Sequence, residues 1–142
     1  MGLDGPAWAV EMVRAARVAR LATASANGQP HVVPVCFALV DDQIYSAVDL
    51  KPKRTRELRR VRNVRENPNV SLVVDEYDED WTRLCWVMVE GTARVVDGAE
   101  RGRALAALVA KYAQYARMEL AHTAGDVLAI MPARVVAWRA DA

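Results

Sequence analysis

The sequence predicts a mainly β fold: a small antiparallel barrel of six strands with a few helices, built by one domain over residues 1–142. Turn signals at Asn27-Gly28 and Asp41-Asp42 join short apolar runs into hairpins. Pro34 and Pro132 fall inside strand-like runs, where a residue without an N–H is tolerated only at an edge or a bulge. No Gly-x-Gly-x-x-Gly follows any strand, which argues against a doubly wound dinucleotide-binding sheet.

The elements follow in order. Asp4-Gly5-Pro6 reads as a helix start, with Asp4 as cap and Pro6 in the first turn. Trp8, Met12, Ala15 and Ala19 then recur at helical spacing. Residues 20–25 and 31–40 read as strands around Asn27-Gly28, whose tight turn calls for positive φ at both residues. Residues 44–48 make the third strand of a meander. Thr55 is the expected cap of a second helix, with Glu57 in its first turn and Leu58, Val61 and Val64 as its apolar stripe. Pro68 ends that helix. Val70, Leu72 and Val74 alternate as a strand, and residues 84–96 form a long one with a bulge at Gly91. After Gly98, the residues Ala104, Leu105, Leu108, Val109 and Tyr112 line a third helix. A last strand covers about 127–138.

Composition narrows the function classes. The chain has 19 Lys plus Arg against 18 Asp plus Glu, which excludes a uniformly basic nucleic-acid binder. The acidic run at 75–80 also opposes nucleic acid, so no such partner is expected. No apolar run approaches the ~18 residues of a membrane span, and no secretory leader is visible, so the expectation is a cytoplasmic protein without a membrane partner. Cys36 and Cys85 are far apart, form no Cys-x-x-Cys, and read as small buried hydrophobes. His31 and His122 have no ligand spacing around them, so no metal site is expected. No nucleophile or metalloprotease motif is present.

The sharpest feature is charge segregation. Residues 51–65 hold eight basic side chains against one acid, Glu57. Lys51, Lys53 and Arg54 crowd the loop expected to open a helix. Outward N–H groups and like charges at that end form a site for phosphate or carboxylate. Arg59, Arg60 and Arg62 read instead as a solvated helix face. Trp81, Trp86 and Trp138 are readable as core or as a stacking or dimer surface.

Three stretches carry a family resemblance: Ser46-Ala47-Val48, then residues 52–58 (Pro-Lys-Arg-Thr-Arg-Glu-Leu), then residues 67–72 (Asn-Pro-Asn-Val-Ser-Leu). Together they resemble the pyridoxamine-phosphate-oxidase-like, FMN-binding-like split β-barrel superfamily. Residues 74–81 and 86–91 look like an actinobacterial branch, the deazaflavin (F-420)-dependent oxidoreductases. The Ala- and Arg-rich composition suits such a source. The resemblance implies a homodimer and hydride transfer between reduced F-420 and a small unsaturated substrate. It places Lys53 and Arg54 at the phosphate clamp, with the Thr55 hydroxyl beside them. Lys51 would meet the carboxylates of the oligoglutamate tail. Val33, Pro34 and Val35 would pass the ring on one strand, and Ser46, Ala47 and Val48 on the next. Trp138-Arg139 is similar to a C-terminal pair that reaches the ring from the other subunit. FMN is the alternative cofactor, but Ala47-Val48 lacks the polar signature that precedes the loop in flavin oxidases. A proton from solvent, His31 or Tyr77 would complete the reduction. A non-catalytic module that binds the cofactor is the alternative from another class.

Overall fold

The computed structural model describes residues 2–49 and 58–140. Its strands are β1 (Ala19–Ala24), β2 (Pro30–Val35), β3 (Ala38–Val40), β4 (Gln43–Asp49), β5 (Asn69–Glu76), β6 (Cys85–Val96) and β7 (Ala124–Arg139). The helices are α1 (Ala7–Ala15), α2 (Arg59–Glu66), α3 (Gly98–Lys111), α4 (Ala113–Arg117) and α5 (Leu120–Thr123), with a 3₁₀ turn at Trp81–Arg83. The described strands form one antiparallel sheet in the order β2-β1-β5-β6-β7-β4-β3.

The mainly β architecture stands, but with seven strands instead of six. The expected strand over 31–40 breaks at Cys36-Phe37, and its halves sit at opposite ends of the sheet order. The predicted meander is therefore replaced by two separate hairpins, β1-β2 and β3-β4. The break closes the barrel. Val35 and Ala38 are three residues apart, so the two sheet ends lie within about 11 Å of each other. β2 and β3 are not paired among the described strands, which leaves a seam at that corner. Phe37, fully buried, fills it.

Both prolines behave as their chemistry requires. β2 is an edge strand, so Pro34 leaves no ladder bond unmade. Pro132 sits at the bulge where the β6-β7 register shifts between Glu90 and Gly91. The primed turn falls at the second hairpin, where Asp41 and Asp42 have φ of 50° and 66°. At the first hairpin only Gly28 is positive (φ 90°), in a longer loop closed by Ser25 and Gln29. The Asn27 expectation is corrected because the longer loop relieves that residue of the strain.

Alternation along β4 and β7 buries both faces. Ile44, Val48, Leu128 and Ile130 face the barrel interior with Leu21, Leu72 and Val87. Tyr45, Ala47, Val127 and Ala129 face Leu105, Leu108 and Leu120 beneath α3. The α1 stripe is corrected: Ala9 and Val13 are buried, and Ala15 is exposed. Pro6 holds the cap position with no side-chain cap, so Asp4 does not cap this helix. α2 buries Val61 and Val64 as expected, with Leu58 at its cap position. The Thr55 cap lies outside the described residues.

Polar ties fix the helices. Buried Asn63 of α2 donates from Nδ2 to Thr23 Oγ1 at 3.0 Å. Arg94 of β6 holds Glu100 of α3 through bonds of 2.8 and 2.7 Å, and Tyr45 donates to the same carboxylate at 2.7 Å. The hydrogen bonds from Arg94 and Tyr45 pull the Glu100 carboxyl down to about 2. Burial and the Glu100 hydrogen bond push the Tyr45 phenol up to about 12. Because the folded carboxyl titrates below its unfolded value, its contribution is present above about pH 4.5 and is lost as pH falls toward 2. Glu100→Gln should cost about 1 kcal/mol at pH 7, reduced by solvent screening. It should also flatten the acid limb between those limits. Urea titrations at pH 3 and 7 check this: an equal loss at both pH values contradicts it.

Candidate functional site

A cleft of about 320 Å³ opens beside the barrel seam. One wall is Pro34, Val35 and Cys36, where β2 runs into the corner. The floor is Ser46 and Ala47 of β4, and Arg60 of α2 closes one edge. The opposite wall comes from the α3–α4 junction: Tyr112, Gln114, Tyr115 and Met118. The walls are largely apolar and the volume is at the lower end of ligand clefts, roughly 300–1,000 Å³.

Tyr112 organises the inner end. Its hydroxyl accepts the Phe37 N–H at 3.1 Å and lies 2.9 Å from the Arg17 carbonyl and 3.1 Å from that of Phe37. Its one proton serves one of those carbonyls. Burial raises this phenol above its ordinary range. The Tyr115 ring meets it edge-on at 5.4 Å. Arg17 donates to the Lys111 carbonyl at 3.0 Å, so the corner, the end of α3 and the start of β1 form one unit.

Pro34, Val35, Ser46 and Ala47, from two strands nominated by the sequence, line this cleft together. Val33 and Val48 do not. Val48 is buried in the barrel core, and Val33 packs against that core from the edge strand. Lys51, Lys53, Arg54 and Thr55 lie outside the described residues. Their described flanks, β4 through Ala47 and α2 through Arg60, both border the cleft. Leu58, at the cap position of α2, offers no side-chain hydrogen bond to the helix start.

Several expectations change. Arg60 borders the cleft instead of standing on a solvated face, whereas Arg59 and Arg62 are exposed as read. Cys36 and Cys85 are half-buried rather than core residues, because Cys36 follows β2 and Cys85 opens β6, each beside a surface cleft or groove. His31 and Tyr77 do not border the cleft, so neither is placed to deliver a proton there. Trp81 and Trp138, left open between core and surface by the sequence, are exposed. The sequence reading missed Tyr112, Gln114, Tyr115 and Met118 as lining residues. Their only signal was two tyrosines three apart after an amphipathic helix.

A second, larger groove of about 810 Å³ runs between α1 and the residues around Cys85. Arg139 borders it, with its guanidinium 4.8 Å from the Trp8 ring, away from the cleft. Among the described residues, no cluster of His, Cys, Asp or Glu is arranged to hold a metal. No helix among them is long and apolar enough to cross a membrane.

A family model described as pyridoxamine 5′-phosphate oxidase matches residues 7–139. The chain is 30% identical over 132 residues to the 5a,11a-dehydrotetracycline/5a,11a-dehydrooxytetracycline reductase of Streptomyces rimosus, covering 91% of this chain and 79% of that protein. A conserved hypothetical protein from Mycobacterium tuberculosis shares the fold, with a TM-score of 0.77 at 23% identity over 96% of this chain and 86% of that one. A FAD-binding protein from Mesorhizobium loti superposes with a TM-score of 0.67 at 25% identity, over 90% of this chain and 87% of that one.

Proposed function

The chain belongs to the pyridoxamine 5′-phosphate oxidase family, and we propose that it is an F-420-dependent oxidoreductase that reduces a small unsaturated organic substrate. One observation carries this reading. An apolar cleft is bordered by the strand and the helix that flank the basic segment, so a planar ring and an anionic tail have adjoining places.

The residues fit such a group. Pro34, Val35 and Ala47 give the ring a dry wall, which strengthens every electrostatic interaction beside it. Arg60 and the N–H groups at the start of α2 would meet the tail phosphate, Lys53, Arg54 and Thr55 would clamp it, and Lys51 would take the tail carboxylates. The bound cofactor supplies the hydride, and the protein supplies orientation. Tyr112 is committed to backbone groups of Phe37 and Arg17, so it serves as wall and not as acid.

A flavin is the second reading, favoured by the FAD-binding relative. The test of activity is direct. Reduced F-420 is incubated with the protein and a panel of conjugated enones that includes 5a,11a-dehydrotetracycline. Substrate-dependent return of oxidised F-420 is expected. Turnover with reduced FMN alone would move the assignment to the flavin, and no turnover with either would favour a binding module.

We also assign a homodimer. Val32 on the edge strand, Met131 and Trp138 are large apolar side chains left exposed, and a twofold partner would cover the open edge and bury such side chains. Sedimentation at micromolar concentration should give twice the chain mass; a monomer there contradicts the assignment.

A further inference from the structure

Behind the cleft wall formed by Cys36 and Tyr112 lies a positive charge with no carboxylate partner among the described residues. Lys111 is the last residue of α3, and its Nζ is shut off from solvent without a hydrogen bond. The ammonium lies 4.0 Å from the centroid of the Phe37 ring and 5.4 Å from that of Tyr112. The Arg17 guanidinium lies 4.6 Å from the same Tyr112 ring. The groups acting on Lys111 are therefore Arg17, of like sign, and the Cys36 thiol; no carboxylate is among them. Burial, then the Arg17 charge, draws the ammonium down to about 8.

Two aromatic faces offset part of the desolvation. Three N–H donors nevertheless stay unmet, a costly state for a buried cation. A lysine held only for packing would be better replaced by methionine. Tyr112, whose ring the ammonium faces, and Cys36, whose thiol acts on it, both border the cleft, so a rotation about the unbranched lysine stem would bring the charge to a ligand there.

We propose that the inner end of the cleft, walled by Cys36 and Tyr112, takes the negatively charged head of a planar ligand, with Lys111 as its counter-charge. The proposal rests on the reading of the cleft as a ring-binding site. It adds that the planar ring held there carries, or develops, negative charge at the end walled by Cys36 and Tyr112.

The experiment compares 2-naphthoate with its neutral isostere 2-naphthamide, using the full chain and calorimetric or fluorescence titration. The wild type should prefer naphthoate by about tenfold, as a charge-assisted bond implies. Lys111→Met should abolish that preference, leave naphthamide binding unchanged and melt no lower than the wild type. Lys111→Arg should keep part of the preference. Should the Met variant not fold, the ¹⁵N shift of the wild-type Lys111 Nζ decides: naphthoate must raise its titration midpoint. Equal affinity for the two probes, no binding of naphthoate, a preference that survives Lys111→Met, or an unmoved midpoint overturns the proposal. F-420 titrations run in parallel separate the two readings. Lost F-420 binding with an intact naphthoate preference removes the cofactor assignment alone; the reverse removes Lys111 alone.

Discussion

Gly91→Ala is expected to destabilise the fold by about 3 kcal/mol, the upper range for forcing an atom into packed structure. A Cβ on Gly91 would lie 2.1 Å from the Met131 carbonyl oxygen and 3.0 Å from its carbonyl carbon. Those are backbone atoms of the paired strand, so no side-chain rotation relieves the clash. Gly91 is also the point where the β6-β7 register shifts opposite Pro132, and it pairs with Val70 on its other side. Either the bulge or both pairings must give way. For a chain of this size, melting should fall by roughly 10 °C. Gly102→Ala is the matched control, because nothing lies within 4 Å of its added methyl in α3. It should stabilise by about 0.5–1 kcal/mol through helix propensity. A Gly91→Ala melting point within 2–3 °C of the wild type would contradict the bulge geometry; the size of that threshold is about 1 kcal/mol.

The largest functional effect is expected at Lys53 and Arg54. Replacing either by Ala should weaken F-420 binding by about 1.5–3 kcal/mol, the range for a hydrogen bond to a charged group. Stability should hardly change, since charges that serve a ligand contribute little to the fold. Eight basic residues and one acid fall between positions 51 and 65, and the elements described on the two sides of residues 50–57, β4 and α2, both border the apolar cleft. A lowered melting point with an unchanged dissociation constant would make the cluster structural.

The parts of the fold that depend on short-range chemistry were legible in the sequence. Proline's missing donor called for an edge or a bulge at both Pro34 and Pro132; the first lies on an edge strand and the second at a bulge. Alternation located Val70, Leu72 and Val74 on the buried face of β5. What escaped was long-range. Nothing local marks Cys36-Phe37 as the point where one sheet end crosses to the other, because the run from Val32 to Val40 is apolar throughout. The α1 stripe misled for a related reason: Trp8 and Met12 line a surface groove, and the smaller Ala9 and Val13 fit against the barrel.

The candidate site divides the same way. The strand residues Pro34, Val35, Ser46 and Ala47 were legible through family resemblance. The helical wall was not, since Tyr112 and Tyr115 become cleft residues only when α3 ends and α4 turns across β4. Arg60 looked like one of several exposed arginines. Only the seating of α2, fixed by Asn63 on Thr23, brings it to the cleft edge.

The central claim is the choice of F-420, and equilibrium binding tests it most directly. Purified protein would be titrated with F-420 and separately with FMN, following fluorescence at low and high salt. The basic segment extends beyond what one phosphate needs, so it complements a polyanionic tail. The account predicts tighter binding of F-420 than of FMN, weakening with added salt and strengthening modestly as glutamates are added to the tail. Protein that purifies yellow with FMN and shows no salt-sensitive binding of F-420 would contradict it.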